Sequence, residues 1–284
     1  MNKTWIFIPG AKEKFLDKAK ELRADVLIFD LEDSVVPKDK KEARGMVEAA
    51  LGQPTSKNRR FVRVNDVHSP FFIDDIATLA GAAPDGIVIP KVDTRDEMMI
   101  ADFLLSHYER ANGLAPGSIS IVPLIETGKG IINAADIAQS AERIEALAFG
   151  AEDYMLDVSI PKDEGDALLY ARSMLVTASS AAGIAPPIDS VYTDFNDPEG
   201  LKAASIRSRG AGFQGRLVIH PKQLETINEV FAPTDREIEE AREIVEAYEA
   251  SFNEGDGALQ VNGKMIDAPV AERAKKLLEN ESVY

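Results

Sequence analysis

Two short apolar runs in this chain each stop on an acid. Residues 118–125 end at Glu126, ahead of Thr127-Gly128-Lys129-Gly130, and residues 144–149 end at Gly150-Ala151-Glu152-Asp153. Both runs are too short for an ordinary helix and are bounded by glycine, which favours strand. On parallel neighbouring strands, Glu126 and Asp153 would converge at one carboxyl edge. Two hard oxygen ligands, with water filling the remaining positions, suit Mg²⁺ or a similar cation. The same acids are ordinary occupants of the first turn of a following helix, and spacing alone does not separate ligand from cap.

The elements that must position these acids follow from the rest of the chain. At 284 residues and 45% hydrophobic content, it can bury a full core. Forty-eight acids against 32 bases leave a net charge of −16, which works against nucleic acid and anionic membrane while permitting a local basic patch. The absence of cysteine excludes disulfides, thiolate metal sites and a cysteine nucleophile. Met1-Asn2-Lys3-Thr4 leads straight into an apolar run, without a signal-peptide pattern or a membrane-spanning stretch, so a soluble, cytoplasmic protein is expected.

Strands are expected at 4–8, 26–29, 61–64, 86–90, 118–125, 144–149, 188–192 and 217–219, alternating with helical stretches. Eight such units predict an α/β fold, a (β/α)8 TIM barrel over 1–232. An open doubly wound sheet is the alternative, but no G-x-G-x-x-G follows the first strand. The strand ends deliver Glu32/Asp33, Arg63/Asn65, Lys91, Glu126, Asp153, Asp194 and His220 to one rim, where barrel chemistry sits. Beyond the barrel, 233–284 predicts a C-terminal helical extension: a charged amphipathic helix over 234–252, a breaker at 253–257, an extended stretch, and a last helix opened by Asp267-Ala268-Pro269. This tail is too short for a core of its own and must lie on its own barrel or on a neighbour's.

The strand-end blocks resemble the citrate lyase beta-subunit family of the HpcH/HpaI aldolase superfamily. They are Phe7-Ile8-Pro9-Gly10, Phe29-Asp30-Leu31-Glu32-Asp33, Val62-Arg63-Val64-Asn65, Ile89-Pro90-Lys91, Ile125-Glu126-Thr127, and Phe149-Gly150-Ala151-Glu152-Asp153. Val191-Tyr192-Thr193-Asp194, Val218-Ile219-His220-Pro221, and Asn262-Gly263-Lys264-Met265-Ile266-Asp267 follow in the same order. The resemblance implies an Mg²⁺-dependent barrel that makes or breaks a carbon–carbon bond beside a coenzyme A thioester, releasing an α-keto acid. It places Glu126 and Asp153 on the metal ligands, and Arg63 on the arginine that neutralises the reacting oxygens. Asp267 falls on an acid/base carried by a C-terminal arm that reaches an adjacent subunit, which implies a homo-oligomer, most simply a homotrimer. Lys14 and Lys18 fall near the coenzyme A phosphates, Phe7 sits where relatives can carry Tyr, and Ile219 and His220 belong to the coenzyme side. Lys3-Thr4 replaces the usual Arg-Ser or Arg-Arg, and Asp39 stands where a close relative has Lys; both departures bear on coenzyme contacts.

Blander readings stand beside these. Asp267 is well placed as an N-cap, His220 to order the eighth strand's loop, and Lys14/Lys18 as a solvated helix face. Asp30, Glu32 and Asp33 suit salt bridges to Arg63 or Lys91 better than they suit the ion. Backbone N–H groups at Gly150-Ala151-Glu152 are placed to receive a substrate carboxylate. Three functions remain: an acyl-CoA lyase acting on malyl-, citramalyl- or citryl-CoA, a citryl-acyl-carrier-protein lyase subunit, and a non-enzymatic acyl-thioester-binding barrel.

Overall fold

The computed structural model describes residues 2–53, 58–161, 166–254, 259–261 and 263–281. Eight parallel strands close into a barrel in sequence order: β1 (Thr4–Pro9), β2 (Val26–Asp30), β3 (Arg59–Arg63), β4 (Gly86–Ile89), β5 (Ser120–Ile125), β6 (Ala148–Phe149), β7 (Ile188–Asp189) and β8 (Gly215–Val218). Around them run α1 (Glu13–Ala19), α2 (Lys40–Leu51), α3 (Phe72–Ala82), α4 (Arg95–Ala111), α5 (Gly128–Ile132), α6 (Ala134–Ala138), α7 (Ala151–Asp157), α8 (Leu169–Ala182), α9 (Pro198–Ala211) and α10 (Leu224–Phe231). Local chemistry sets several helix starts. Thr94 and Glu97 form a reciprocal capping box on α4, and Asp197 caps α9 ahead of Pro198, devices worth about 1 kcal/mol each.

Strand side chains alternate between two cores. Trp5, Val26, Ile28, Phe61, Val88, Val122, Leu124, Ala148, Ile188 and Leu217 fill the barrel, while the intervening residues, such as Ile6, Leu27, Val62 and Ile121, face the helices. Trp5 and Phe61 meet edge to face with centroids 5.0 Å apart, and neither exposes surface. Gly86 makes room for that pair, since a Cβ there would lie 2.2 Å from the Phe61 ring. Truncating Phe61 to Ala would cost about 3–5 kcal/mol.

All eight expected strands are present with shifted bounds, and three of the shifts have a local cause. The β5/β6 register passes from Ile121↔Ile144 to Leu124↔Ala148, so the offset grows from 144 − 121 = 23 to 148 − 124 = 24. One extra residue bulges the 144–149 run and shortens its regular part to β6. β7 stops early because the Asp189 side chain takes the next N–H, that of Ser190, at 2.8 Å. β8 begins at Gly215 and ends before Ile219, where the N–H groups of Ile219 and His220 both donate to Gln223 Oε1 at 3.2 Å.

Residues 2–231 form one compact unit and 232–284 a second. The second holds α11 (Asp235–Glu254), an antiparallel pair β9 (Leu259–Val261) and β10 (Lys264–Ile266), and α12 (Ala268–Glu281). α11 packs on α12, and Lys275 meets Glu249 at 3.0 Å. Residues 162–165, ahead of α8, and most of the 253–257 breaker lie outside the described residues. Among the described residues, no helix is long and apolar enough to cross a membrane.

Candidate active site

The inward parity that fills the barrel continues to its carboxyl mouth. Phe7 shares it with Trp5, Asp30 with Ile28, Arg63 with Phe61, Glu126 with Leu124, and Ile219 with Leu217. They surround a cavity of about 430 Å³ whose wall also includes Asp33, Asp153 and Val191.

Arg63 is caged by carboxylates. Its Nε and Nη2 form a two-point bridge to Asp30, at 2.7 and 2.9 Å, and Nη1 reaches Glu32 at 2.9 Å and Asp33 at 3.2 Å. The Phe7 ring lies 4.7 Å from its guanidinium carbon. Asp30 is itself fixed by N–H donations from Glu32 (2.9 Å) and Ser34 (3.0 Å). Burial would raise the Asp30 pKa, but the hydrogen bonds and charge of Arg63 outweigh it and hold the carboxyl below its usual range. Burial likewise opposes the Arg63 charge, and Asp30, Glu32 and Asp33 override it, so the guanidinium stays ionised. Lys91 joins the cluster through Glu32, Nζ to Oε1 at 2.7 Å. The salt-bridge role read from sequence for Asp30, Glu32 and Asp33 is the one these side chains take.

Glu126 follows β5 directly and Asp153 lies in the first turn of α7, which follows β6; β5 and β6 are parallel, bonded neighbours. Glu126 is buried, whereas Asp153 is exposed toward solvent. One Glu126 oxygen, Oε1, accepts the Lys91 N–H at 2.8 Å, a donor aimed by a left-handed Lys91 backbone (φ 55°). The other oxygen occupies space that exists only because residue 150 is glycine, for a Cβ there would lie 2.4 Å from Oε2. Burial, then the negative charges of Asp153 and Glu32, push the Glu126 carboxyl up to about 8. A buried acid short of positive charge, paired with a second carboxylate, is a donor set that fits a hard divalent cation. Glu126 and Asp153 are the residues that would hold it.

The other sequence candidates divide. Phe7 and Ile219 line the cavity. Lys14 and Lys18 stand exposed on α1, outside the lining. His220 stacks on Phe195, with centroids 4.7 Å apart, and its Nδ1 accepts the Lys222 N–H at 3.2 Å, so it orders the loop after β8. Asn65 is not a rim group, because its amide donates to buried Asp75 at 2.7 Å. Asp194 accepts from the Asn196 N–H at 2.9 Å. Asp267 belongs to the second unit, where its Oδ1 accepts the Val270 N–H at 3.2 Å as the cap of α12. One anion-binding assignment is corrected. The Gly150 N–H donates to Ile125 O at 2.9 Å and continues the β5/β6 ladder, so it is not free for a substrate carboxylate. The stacking of Phe7 on Arg63 and the clearance at Gly150 were not foreseen; the inward parity of residues 5, 7, 61 and 63 was the available signal for the former.

A closed (β/α)8 barrel with paired carboxylates and a caged arginine at its carboxyl mouth has the arrangement of a barrel enzyme. The model of the HpcH/HpaI aldolase/citrate lyase family matches residues 3–221, and the chain belongs to that family. It is 36% identical to citrate lyase subunit beta of Escherichia coli (strain K12), over 97% of this chain and 92% of that protein. It is 33% identical to an L-malyl-CoA/beta-methylmalyl-CoA lyase of Cereibacter sphaeroides, over 98% of this chain and 93% of the relative. Among solved structures, protein CitE from Mycobacterium tuberculosis in complex with magnesium, acetoacetate and coenzyme A matches with a TM-score of 0.82. That match has 27% identity and covers 99% of this chain and 98% of the other.

Proposed function

We propose that this protein is an Mg²⁺-dependent carbon–carbon lyase that cleaves, or forms, a 3-hydroxyacyl-CoA thioester, giving an α-keto acid and acetyl-CoA. The observation that carries the reading is the buried Glu126, short of positive charge and paired with Asp153, beside the caged Arg63 in one cavity. Full-length relatives that include a citrate lyase beta subunit and a malyl-CoA lyase support it.

When bound between Glu126 and Asp153, Mg²⁺ would supply Lewis acidity and a template for the carboxylate and adjacent oxygen of the keto-acid portion. Arg63 faces the C3 oxygen and offsets the charge that grows on it. Asp30 holds the guanidinium plane fixed, so its donors are aimed before the reaction begins. In the cleavage direction the C3 hydroxyl gives up its proton, C2–C3 breaks, and C3 becomes the keto carbon. The electron pair passes to C2 as a thioester enolate, and a proton delivered to C2 completes acetyl-CoA. We assign that proton to Asp267, brought by the arm of a neighbouring copy in a cyclic homo-oligomer, a trimer by resemblance. Lys14 and Lys18 are assigned to the coenzyme phosphates, with Phe7, Ile219 and His220 on the coenzyme side of the mouth. A cytoplasmic location accords with this use of coenzyme A.

The test is turnover of malyl-, citramalyl- and citryl-CoA with α-keto acid and free CoA both assayed. Keto acid should appear with Mg²⁺, and chelator or Glu126→Gln should abolish it. No turnover of any thioester by Mg²⁺-loaded protein would overturn the reading.

A further inference from the structure

Among the described residues, three other than glycine have a left-handed backbone: Ala83, Lys91 and Ser159, with φ of 48°, 55° and 60°. Ala83 closes α3 and Ser159 follows the end of α7, where chains commonly turn this way. Lys91 ends no helix. It follows β4 and Pro90 at the carboxyl mouth of the barrel. A residue with a Cβ is strained in this conformation and glycine is not. A turn that needed the shape alone would be served by glycine, so the lysine side chain has to contribute something that offsets the strain.

Lys91 meets two parts of the site through two different atoms. Its N–H donates to Glu126 Oε1 at 2.8 Å, and the next N–H, from Val92, returns to the β5 backbone at Leu124 O, 3.4 Å away. Its Nζ meets Glu32 Oε1 at 2.7 Å, and Glu32 Oε2 meets Arg63 Nη1 at 2.9 Å. One residue therefore holds the buried acid of the carboxylate pair and, through one further side chain, the caged guanidinium. Neither Lys91 nor Glu32 belongs to the cavity wall, so the ammonium acts through Arg63 and not on a substrate. The Lys91 side chain is 47% exposed, and an ion pair so open to solvent adds little stability by itself. Its Glu32 partner is 9% exposed and bonded on both oxygens, so losing the ammonium frees that carboxylate to shift on Arg63.

We propose that Lys91 is a positioning residue with two separable roles. Its left-handed backbone holds Glu126 by one oxygen, and its ammonium, acting through Glu32, keeps Arg63 aimed at the C3 oxygen. The proposal rests on the lyase reading above and deepens it.

Four variants test the two roles. Lys91→Gly keeps the turn and the N–H and removes the ammonium. Its Mg²⁺ affinity, measured by calorimetry, should stay at the wild-type value while kcat falls roughly tenfold or more. Lys91→Ala removes the ammonium but keeps the left-handed strain, so the N–H withdraws and Mg²⁺ affinity should fall as well, by roughly tenfold. Lys91→Arg keeps a cation and should recover most of the kcat lost in Lys91→Gly. Glu32→Gln reaches the side-chain role without touching the turn, and combined with Lys91→Gly it should lower kcat no further than the larger single loss. Wild-type kcat in Lys91→Gly, or fully additive losses in the double variant, would overturn the side-chain role. Equal Mg²⁺ affinity in Lys91→Gly and Lys91→Ala, whether kept or lost, would overturn the backbone role. If the wild-type protein turns over no thioester, the lyase reading fails, and the calorimetric difference between Lys91→Gly and Lys91→Ala still decides this inference: present, it supports the hold on Glu126; absent, it overturns it.

Discussion

Strand β5 runs between two buried glutamates, and they are treated in opposite ways. At its entry, Glu109 has no exposed surface and is fully answered. Arg143 bridges both of its oxygens at 2.8 and 3.0 Å, and the N–H groups of Ile119 and Gly117 add one bond each at 2.9 Å. Burial pushes its pKa up, but Arg143 and the two N–H groups outweigh burial, so the carboxyl stays below its usual range. At the exit, Glu126 is equally buried yet receives the Lys91 N–H on one oxygen and faces Asp153 and Glu32, and its pKa rises to about 8. A carboxylate kept for stability is neutralised where it stands. One left short of positive charge at the catalytic end of a barrel marks where a cation belongs.

The sharpest way to break the comparison is to remove each acid. Glu126→Gln should lower kcat by roughly 10³-fold or more, while the metal-free Tm holds or rises, because burial makes the native acid hold a proton that the unfolded chain releases, a cost glutamine does not carry. Glu109→Ala should do the reverse. It strands Arg143 beside Asp102 and costs about 3–5 kcal/mol of stability, seen as a lower Tm with kinetics of the surviving folded fraction unchanged. A large Tm loss in Glu126→Gln would remove the distinction.

Arg63→Lys comes next, at roughly 10² in kcat, because lysine keeps the charge and loses the two-point bridge to Asp30. Near-normal turnover would reassign Arg63 to support of the rim. Gly150→Ala is a gentler probe of the same pocket. The Gly150 φ of −99° suits alanine, so any effect comes from a Cβ placed 2.4 Å from Glu126 Oε2 and 2.6 Å from Glu126 Cβ, the second a contact that side-chain rotation cannot relieve. Mg²⁺ affinity should fall about tenfold or more, measured by calorimetry, and the metal-free Tm should fall with it because the overlap forces a shift of packed atoms.

Much of this was readable before any coordinates. Alternation in β1 to β5 and the acid-ended runs at 126 and 153 were enough for a barrel and a paired-carboxylate rim, because inward parity and strand-end placement are local properties of sequence. The caging of Arg63 was legible because Asp30 and Glu32 share its rim. Less legible was anything set by contacts across the fold. The bulge that shortens β6 depends on pairing with β5, and Asn65 turns from the rim because Asp75 on α3 reaches it. The clearance at Gly150 depends on where a side chain from another strand points.

The smallest expected effect is in pH. With the Glu126 pKa raised from 4.5 to about 8, the metal-free native protein keeps a proton that the unfolded chain has released. Its stability from this group therefore falls as pH rises from about 4.5 and levels off above about 8. Mg²⁺ needs the ionised form, so its stabilising Tm shift should grow between pH 6.5 and 8.5, by roughly 2–4 °C per kcal/mol. Glu126→Gln should flatten that dependence.

The most direct measurement is an anomalous difference map from crystals soaked in Mn²⁺, a hard-oxygen substitute for Mg²⁺. A single strong peak is predicted between Glu126 and Asp153, with carboxylate oxygens at about 2.1–2.2 Å and water completing the shell. An ion bound elsewhere, or oxygens of Glu126 and Asp153 too far apart to share one at saturating Mn²⁺, would contradict it.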